Sequence, residues 1–155
     1  MSMGRQFLSE KLASHDLVIV LITGAPRPHV FRANVERIYT CRKGITPEHL
    51  GSEIEFYSGP ASWGNVPLRV GERALLFVRN LSGILNEYPW RGHMVLEETD
   101  GELYASLQFP EVWLREDVPT SVRQAARPHP AKGNWSIVRF DTLEEYLREL
   151  IEAAE

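Results

Sequence analysis

Over most of its length this chain carries the hydrophobic pattern of strands. Asp16 to Thr23 is a run of branched apolar residues that ends at Gly24-Ala25-Pro26-Arg27-Pro28, which predicts a buried strand followed by a turn. From Val30 to Tyr39 the residues Phe31, Ala33, Val35 and Tyr39 alternate with Arg32, Asn34 and Glu36, the period of a strand with one wet face. Arg37 interrupts that phase while Ile38 serves the other, so a bulge is expected near this point. After Lys43-Gly44 and Pro47, alternation resumes from Ser52 to Tyr57. Val70-Gly71-Glu72 then leads into Arg73 to Arg79, a continuous apolar stretch suited to a barrel interior. His93 to Glu98 and Glu102 to Leu107 flank Thr99-Asp100-Gly101, a hairpin signal because Asp-Gly tolerates positive φ. Trp135 to Phe140 reads as a last strand.

Helical spacing appears at the two ends. Phe7, Leu8, Lys11 and Leu12 predict a short helix within Arg5 to Ser14. Near the C-terminus Leu143, Tyr146, Leu147, Leu150, Ile151 and Ala154 form one apolar stripe, so the helix should dock on the barrel. Asp141 or Thr142 is its expected N-cap, with Glu144 or Glu145 completing a capping box. The segments between these elements, Ser58 to Val66, Asn80 to Gly92 and Pro110 to Gly133, read as loops, the last with one helical turn around Ser121 to Ala126. The expected fold is all-β: an OB-like barrel of five to six strands with a short N-terminal helix and an amphipathic C-terminal helix packed on it. The expected organisation is a single domain over 1–155, with a helix at 5–14, the barrel at 16–140 and the C-terminal helix at 142–154.

Composition changes this picture little. With 43% hydrophobic and 25% charged residues the chain is ordinary for a globular protein. Its one cysteine, Cys41, excludes an internal disulfide and fits a reducing compartment. The first residues lack a signal-peptide pattern, and the apolar run Leu17 to Ile22 is too short to span a bilayer, so a cytoplasmic location is expected. A net charge of −4 argues against a general nucleic-acid binder and suits a basic partner.

Three motifs carry a resemblance. Ala13-Ser14-His15-Asp16-Leu17-Val18-Ile19-Val20 is similar to an opening Ala-Asp-Leu-Val-Val-Val-Gly strand. Val35-Glu36-Arg37-Ile38-Tyr39 with Lys43-Gly44 resembles Val-x-Arg-Val-x-Lys-Gly, and Gly71 to Phe77 resembles Gly-Glu-Arg-Tyr-Leu-Leu-Phe. Together, over residues 13–98, they resemble the netrin-module and tissue-inhibitor-of-metalloproteinase superfamily, whose members share an OB-type barrel. The metalloproteinase-inhibiting mode of that superfamily relies on an N-terminal cysteine absent here. The resemblance therefore implies the barrel and not that activity.

Candidate chemistry is sparse. Arg42 and Lys43 adjoin Cys41 and could lower its pKa, but no companion base stands at a recognisable spacing, and a half-buried packing role is expected. His15, His29, His49, His93 and His129 are scattered singly, without metal-ligand spacing, so no metal and no cofactor is expected. Glu97-Glu98, Glu116-Asp117 and Glu144-Glu145 are sequence neighbours, which does not by itself make an acid/base pair. No phosphate-binding glycine motif occurs.

Aromatic loops are the stronger signal. Trp63 with Asn65, and Tyr88 with Trp90 and Arg91, lie in expected loops, where they either plug the barrel mouth or anchor a partner. Acidic Glu97, Glu98, Asp100 and Glu102 could join them against a basic toxin domain. The expected function is a non-enzymatic protein-binding module, in particular a bacterial immunity protein that neutralises a cognate toxin. The alternatives are an oligonucleotide-binding barrel, with Tyr57, Trp63 and Trp90 stacking bases beside Arg37, Arg42 and Lys43, and an enzyme using Cys41.

Overall fold

The structure, a computed structural model, describes residues 7–59, 67–89, 91–108, 118–133 and 135–154. The chain divides into two compact units, Ser14–Met94 and a second made of Met1–Ala13 with Val95–Glu155. Trp63, Asn65 and Trp90 lie outside the described residues.

In the first unit five strands close on themselves. They are β1 (Asp16–Arg27), β2 (Val30–Ile38), β3 (Glu53–Tyr57), β4 (Arg73–Leu81) and β5 (Ile84–Glu87). Their order is β1-β2-β3-β5-β4, and β4 returns to pair with β1. Every pairing is antiparallel except β3 with β5, which is parallel and joins Phe56 to Leu85 and Tyr57 to Asn86. This is an OB-like barrel, and closure leaves its strands without an open edge. Leu17, Val18, Val20, Ala33, Val35, Phe56 and the run Ala74–Val78 are buried, as the continuous and alternating patterns require.

The expected bulge is present. Ile19 pairs with Arg37 while Val20 pairs with Val35, so Glu36 is the extra residue of β2. An extra residue shifts the alternation by one, which is why Glu36 and Arg37 are both exposed. Glu36 then reaches Arg73 of β4, with oxygens 2.5 Å from Nε and 3.1 Å from the second guanidinium nitrogen.

Two boundaries differ from expectation. β1 continues through Gly24-Ala25-Pro26 to Arg27, and the turn comes at Pro28-His29, where His29 has φ 64°. The Asn80 to Gly92 segment, expected as a loop, contains the end of β4 and all of β5, joined by Ser82 (φ 56°) and Gly83 (φ 88°). Two successive positive φ values make the turn whose twist suits a two-residue hairpin.

The second unit holds α1 (Phe7–Ser14, up to Ala13), β6 (His93–Thr99, from Val95 onward), β7 (Glu102–Gln108), α2 (Thr120–Ala125), β8 (Arg127–Pro128), β9 (Trp135–Arg139) and α3 (Phe140–Ala154). The β6–β7 turn has Asp100 at φ 53° and Gly101 at φ 80°, the hairpin geometry that Asp-Gly favours. β7 pairs with β9, and β9 with β8, all antiparallel. α3 packs on β7, β9 and α2. Its Phe140, Leu143, Tyr146 and Leu147 are buried, and a leucine so placed contributes about 2 kcal/mol. The helix starts one residue before the expected caps: Asp141 lies in its first turn, where Oδ1 accepts the Thr142 N–H at 2.7 Å.

Candidate functional site

The first residue of β1 shapes one wall of the candidate site. Asp16 is fully buried, and its carboxylate accepts the N–H groups of Arg42 (2.7 Å), Lys43 (2.7 Å) and Ile45 (3.0 Å). The Thr40 hydroxyl donates to it at 3.0 Å and accepts the Leu17 N–H at 2.9 Å. Four donors around one carboxylate satisfy a charge that burial would otherwise make costly. The result is a fixed loop after β2. Lys43 presents its carbonyl to the Asn80 N–H at 2.7 Å, and Gly44 sits beside Asn80. Cys41 in this loop is exposed, not half-buried as expected, because the Asp16 anchor holds the backbone while the side chains of residues 41–43 remain in solvent.

Between this loop and the β4–β5 hairpin lies a cleft of about 490 Å³ on the barrel unit. That volume is in the range of ligand pockets, about 300–1,000 Å³. Val30, Phe56, Tyr57, Ile84 and Leu85 supply its apolar lining, and Arg27, His49, Glu55 and Asn80 its polar side chains. Ile84 is 60% exposed, Tyr57 36%, and Leu81 at the hairpin 51%, so the apolar edge faces solvent. Arg27 donates to Glu55 Oε1 at 2.8 Å, and Arg32 to Oε2 at 3.4 Å. His49 Nδ1 accepts the Thr46 N–H at 2.9 Å, and Asn80 Oδ1 accepts the Gly83 N–H at 2.9 Å.

Sequence reasoning passed over most of this site. Arg27 was expected in a turn, and His49, Asn80 and Ile84 in loops. The available signal was Leu81-Ser82-Gly83-Ile84, a Ser-Gly pair between apolar residues. Of the residues singled out from sequence, Tyr88 is half-buried with its ring 4.9 Å edge-on to His15, and Arg91 is half-buried at φ 53°. Tyr57, expected as a base-stacking residue, lines the cleft; Arg42 and Lys43 are exposed, and Arg37 donates to the Tyr39 hydroxyl at 3.3 Å.

Three buried polar groups meet elsewhere in the barrel unit. Glu87 accepts the Ser58 hydroxyl at 2.5 Å on one oxygen and lies 2.5 Å from His93 Nδ1 on the other. The carboxylate stands between hydroxyl and imidazole, so the hydroxyl bonds the acid and not the base. A nucleophile needs the opposite order, hydroxyl to imidazole to acid. The group is a buried cross-link between the end of β3, the end of β5 and the start of β6.

In the second unit the acidic candidates separate. Glu98 and Asp100 are exposed. Glu97 is partly buried and accepts from the Ser106 hydroxyl and from His129 Nε2 at 2.9 Å, with Lys132 Nζ 3.9 Å away. Burial opposes ionisation of Glu97, but the Ser106 and His129 hydrogen bonds and the Lys132 charge outweigh it and hold the carboxyl below its usual range. His129 Nδ1 accepts the Ala131 and Lys132 N–H groups at 2.9 and 3.0 Å, so Nε2 carries the proton given to Glu97. Glu102 lies 3.5 Å from Arg139 and accepts the Tyr104 hydroxyl at 3.1 Å. Arg127 and Lys132 stand over the rings of Tyr104 and Trp135 at 4.8 and 4.5 Å.

Among the described residues no group of three or more His, Cys, Asp or Glu side chains could hold a metal ion, and no helix is long and apolar enough to cross a membrane. The fold defines the protein as an OB-like five-stranded barrel with further strands and helices. No protein-family model, curated protein or solved structure matches the chain.

Proposed function

We propose that this protein is a non-enzymatic binding module that seats a protein partner in the cleft beside the β4–β5 hairpin. The observation that carries this reading is the solvent-facing apolar edge that Ile84 and Tyr57 give a concave site, with exposed Leu81 on the adjoining hairpin. Apolar side chains around a concavity supply interface energy that scattered exposed residues do not. The Asp16-anchored loop and the closed barrel keep both walls fixed, which lowers the ordering cost of association.

The particular form of the proposal is toxin neutralisation inside a bacterial cell, the chain acting as an immunity protein and bound through its barrel. The net charge of −4 supports a basic partner, and the exposed Glu98 and Asp100 are available to speed its approach.

Co-expression with the product of the adjacent gene tests this. The expected outcome is a near-stoichiometric complex that Ile84→Asp or Tyr57→Ala weakens by at least about tenfold, or 1.4 kcal/mol. Ile84 is 60% and Tyr57 36% exposed, and urea unfolding of each variant checks that it is folded before affinities are compared. No complex, or unchanged affinity in both variants, overturns the proposal.

A further inference from the structure

In the cleft the acceptor atoms of Glu55, His49 and Asn80 each take a hydrogen bond, while donors remain on His49, on Asn80 and on Arg27 beyond the one bond it gives Glu55. Both oxygens of Glu55 are taken, one by Arg27 and one by Arg32. His49 Nδ1 accepts the Thr46 N–H, so the ring hydrogen is on Nε2. Asn80 Oδ1 accepts the Gly83 N–H, which fixes the amide orientation and leaves both Nδ2 hydrogens. Arg27 uses one guanidinium nitrogen on Glu55, and its side chain is 64% exposed. Three donor groups thus line the same 490 Å³ cleft as Val30, Tyr57, Ile84 and Leu85.

We infer that the cleft recognises a peptide segment of the partner in which a carboxylate adjoins a large apolar side chain. This rests on the cleft being the partner-binding surface. The apolar side chain fills the lining of Val30, Tyr57, Ile84 and Leu85, and the carboxylate takes N–H groups from Arg27, His49 Nε2 and Asn80 Nδ2. A lysine or arginine in place of the acid brings donors to the N–H groups of Arg27, His49 and Asn80 and finds an acceptor only in Glu55, whose oxygens already take Arg27 and Arg32, which disfavours it. A partner that is basic overall can still present one acidic residue here. Net charge governs how partners approach; local hydrogen-bond complementarity governs what is held.

Chemical-shift titration of the isotopically labelled full chain with capped tetrapeptides provides the test. The probes are Gly-Leu-Asp-Gly, its asparagine and lysine counterparts at the third position, and its serine counterpart at the second. The expected result is amide shifts at Arg27, Tyr57, Asn80 and Ile84, with the aspartate peptide bound about fivefold tighter than the asparagine one and more than about tenfold tighter than the lysine one. The serine peptide binds more weakly than the leucine one, and Arg27→Gln, at an exposed position, removes the aspartate preference while leaving the spectrum folded. Equal binding of aspartate and lysine peptides in the cleft overturns this inference and leaves the binding surface standing. Absence of cleft shifts with every peptide, while Ile84→Asp still costs the chain its partner, overturns the inference alone. Cleft shifts with a thymidine oligonucleotide that fade steeply with salt, and none with peptides, replace the peptide by a phosphate ligand.

Discussion

Gly44 lies against Asn80 so closely that a Cβ on the glycine would stand 2.4 Å from the Asn80 Cβ and 2.6 Å from its amide nitrogen. Its φ of +126° is also a conformation that residues with side chains rarely adopt. The Lys43-Gly44 pair is therefore where the loop after β2 meets the end of β4. Gly44→Ala is expected to cost about 3 kcal/mol, combining backbone strain with displacement of Asn80. Urea unfolding measures it, and a cost comparable to that of Gly51→Ala, where φ is positive but nothing lies within 4 Å, would show that the contact is unimportant.

Asp16→Asn replaces a carboxylate that only accepts with an amide that must aim two hydrogens at other donors. A loss of about 3 kcal/mol is expected, with the Arg42, Lys43 and Ile45 amide resonances moving together. Amide resonances unchanged in a folded variant would mean that Asp16 does not hold the loop.

The Arg73 hydrogen bond is the main cause holding the Glu36 carboxyl below its usual range. A lowered folded-state pKa contributes stability that is present above the unfolded carboxylate value and is lost as pH falls through the folded one. Arg73→Gln should raise the Glu36 titration midpoint and cost about 0.5–1 kcal/mol at neutral pH, since the pair is solvent-exposed. Carbon-detected titration of Glu36 reads the shift directly; an unmoved midpoint counts against the pairing.

Glu97 carries the same sign for a different reason, with Ser106, His129 and Lys132 overcoming the effect of burial. Its contribution is complete above about pH 4.5, the unfolded carboxylate range, and fades as pH falls through the lower folded value. Glu97→Gln should lower stability at neutral pH and flatten the acid limb of the stability curve. Protection of the residue 127–137 pairing against hydrogen exchange should fall with it, because His129 joins Glu97 to the β8–β9 turn. An acid limb as steep as in the parent chain would refute that coupling.

Local pattern made much of the framework legible. The apolar runs of β1 and β4, the alternation of β2 and β3, the Asp100-Gly101 turn and the α3 stripe each express a short-range rule, and each stands in the structure. Of the three motifs that carried the resemblance, Asp16–Val20 lies in β1, Val35–Ile38 in β2 and Arg73–Phe77 in β4, while Ala13–His15, Lys43-Gly44 and Gly71-Glu72 lie outside the strands. The bulge was legible too, because one residue out of phase is visible in the alternation itself. β5 was not legible: four residues, Ile84-Leu85-Asn86-Glu87, are too few to show a period, and they become a strand by pairing with β4 and β3.

By itself, then, the sequence determined which segments are strands with a buried face, that the chain reverses at Asp100-Gly101, and that one helix docks through a stripe. Those are properties of neighbouring residues, and period and φ preference report them. Only the tertiary structure decided that β5 closes the barrel, that Asp16 anchors a loop beyond the next strand, and that Arg27, His49, Glu55 and Asn80 share a cleft. These depend on contacts between residues far apart in the chain, and no local pattern records which donors and acceptors such contacts leave engaged.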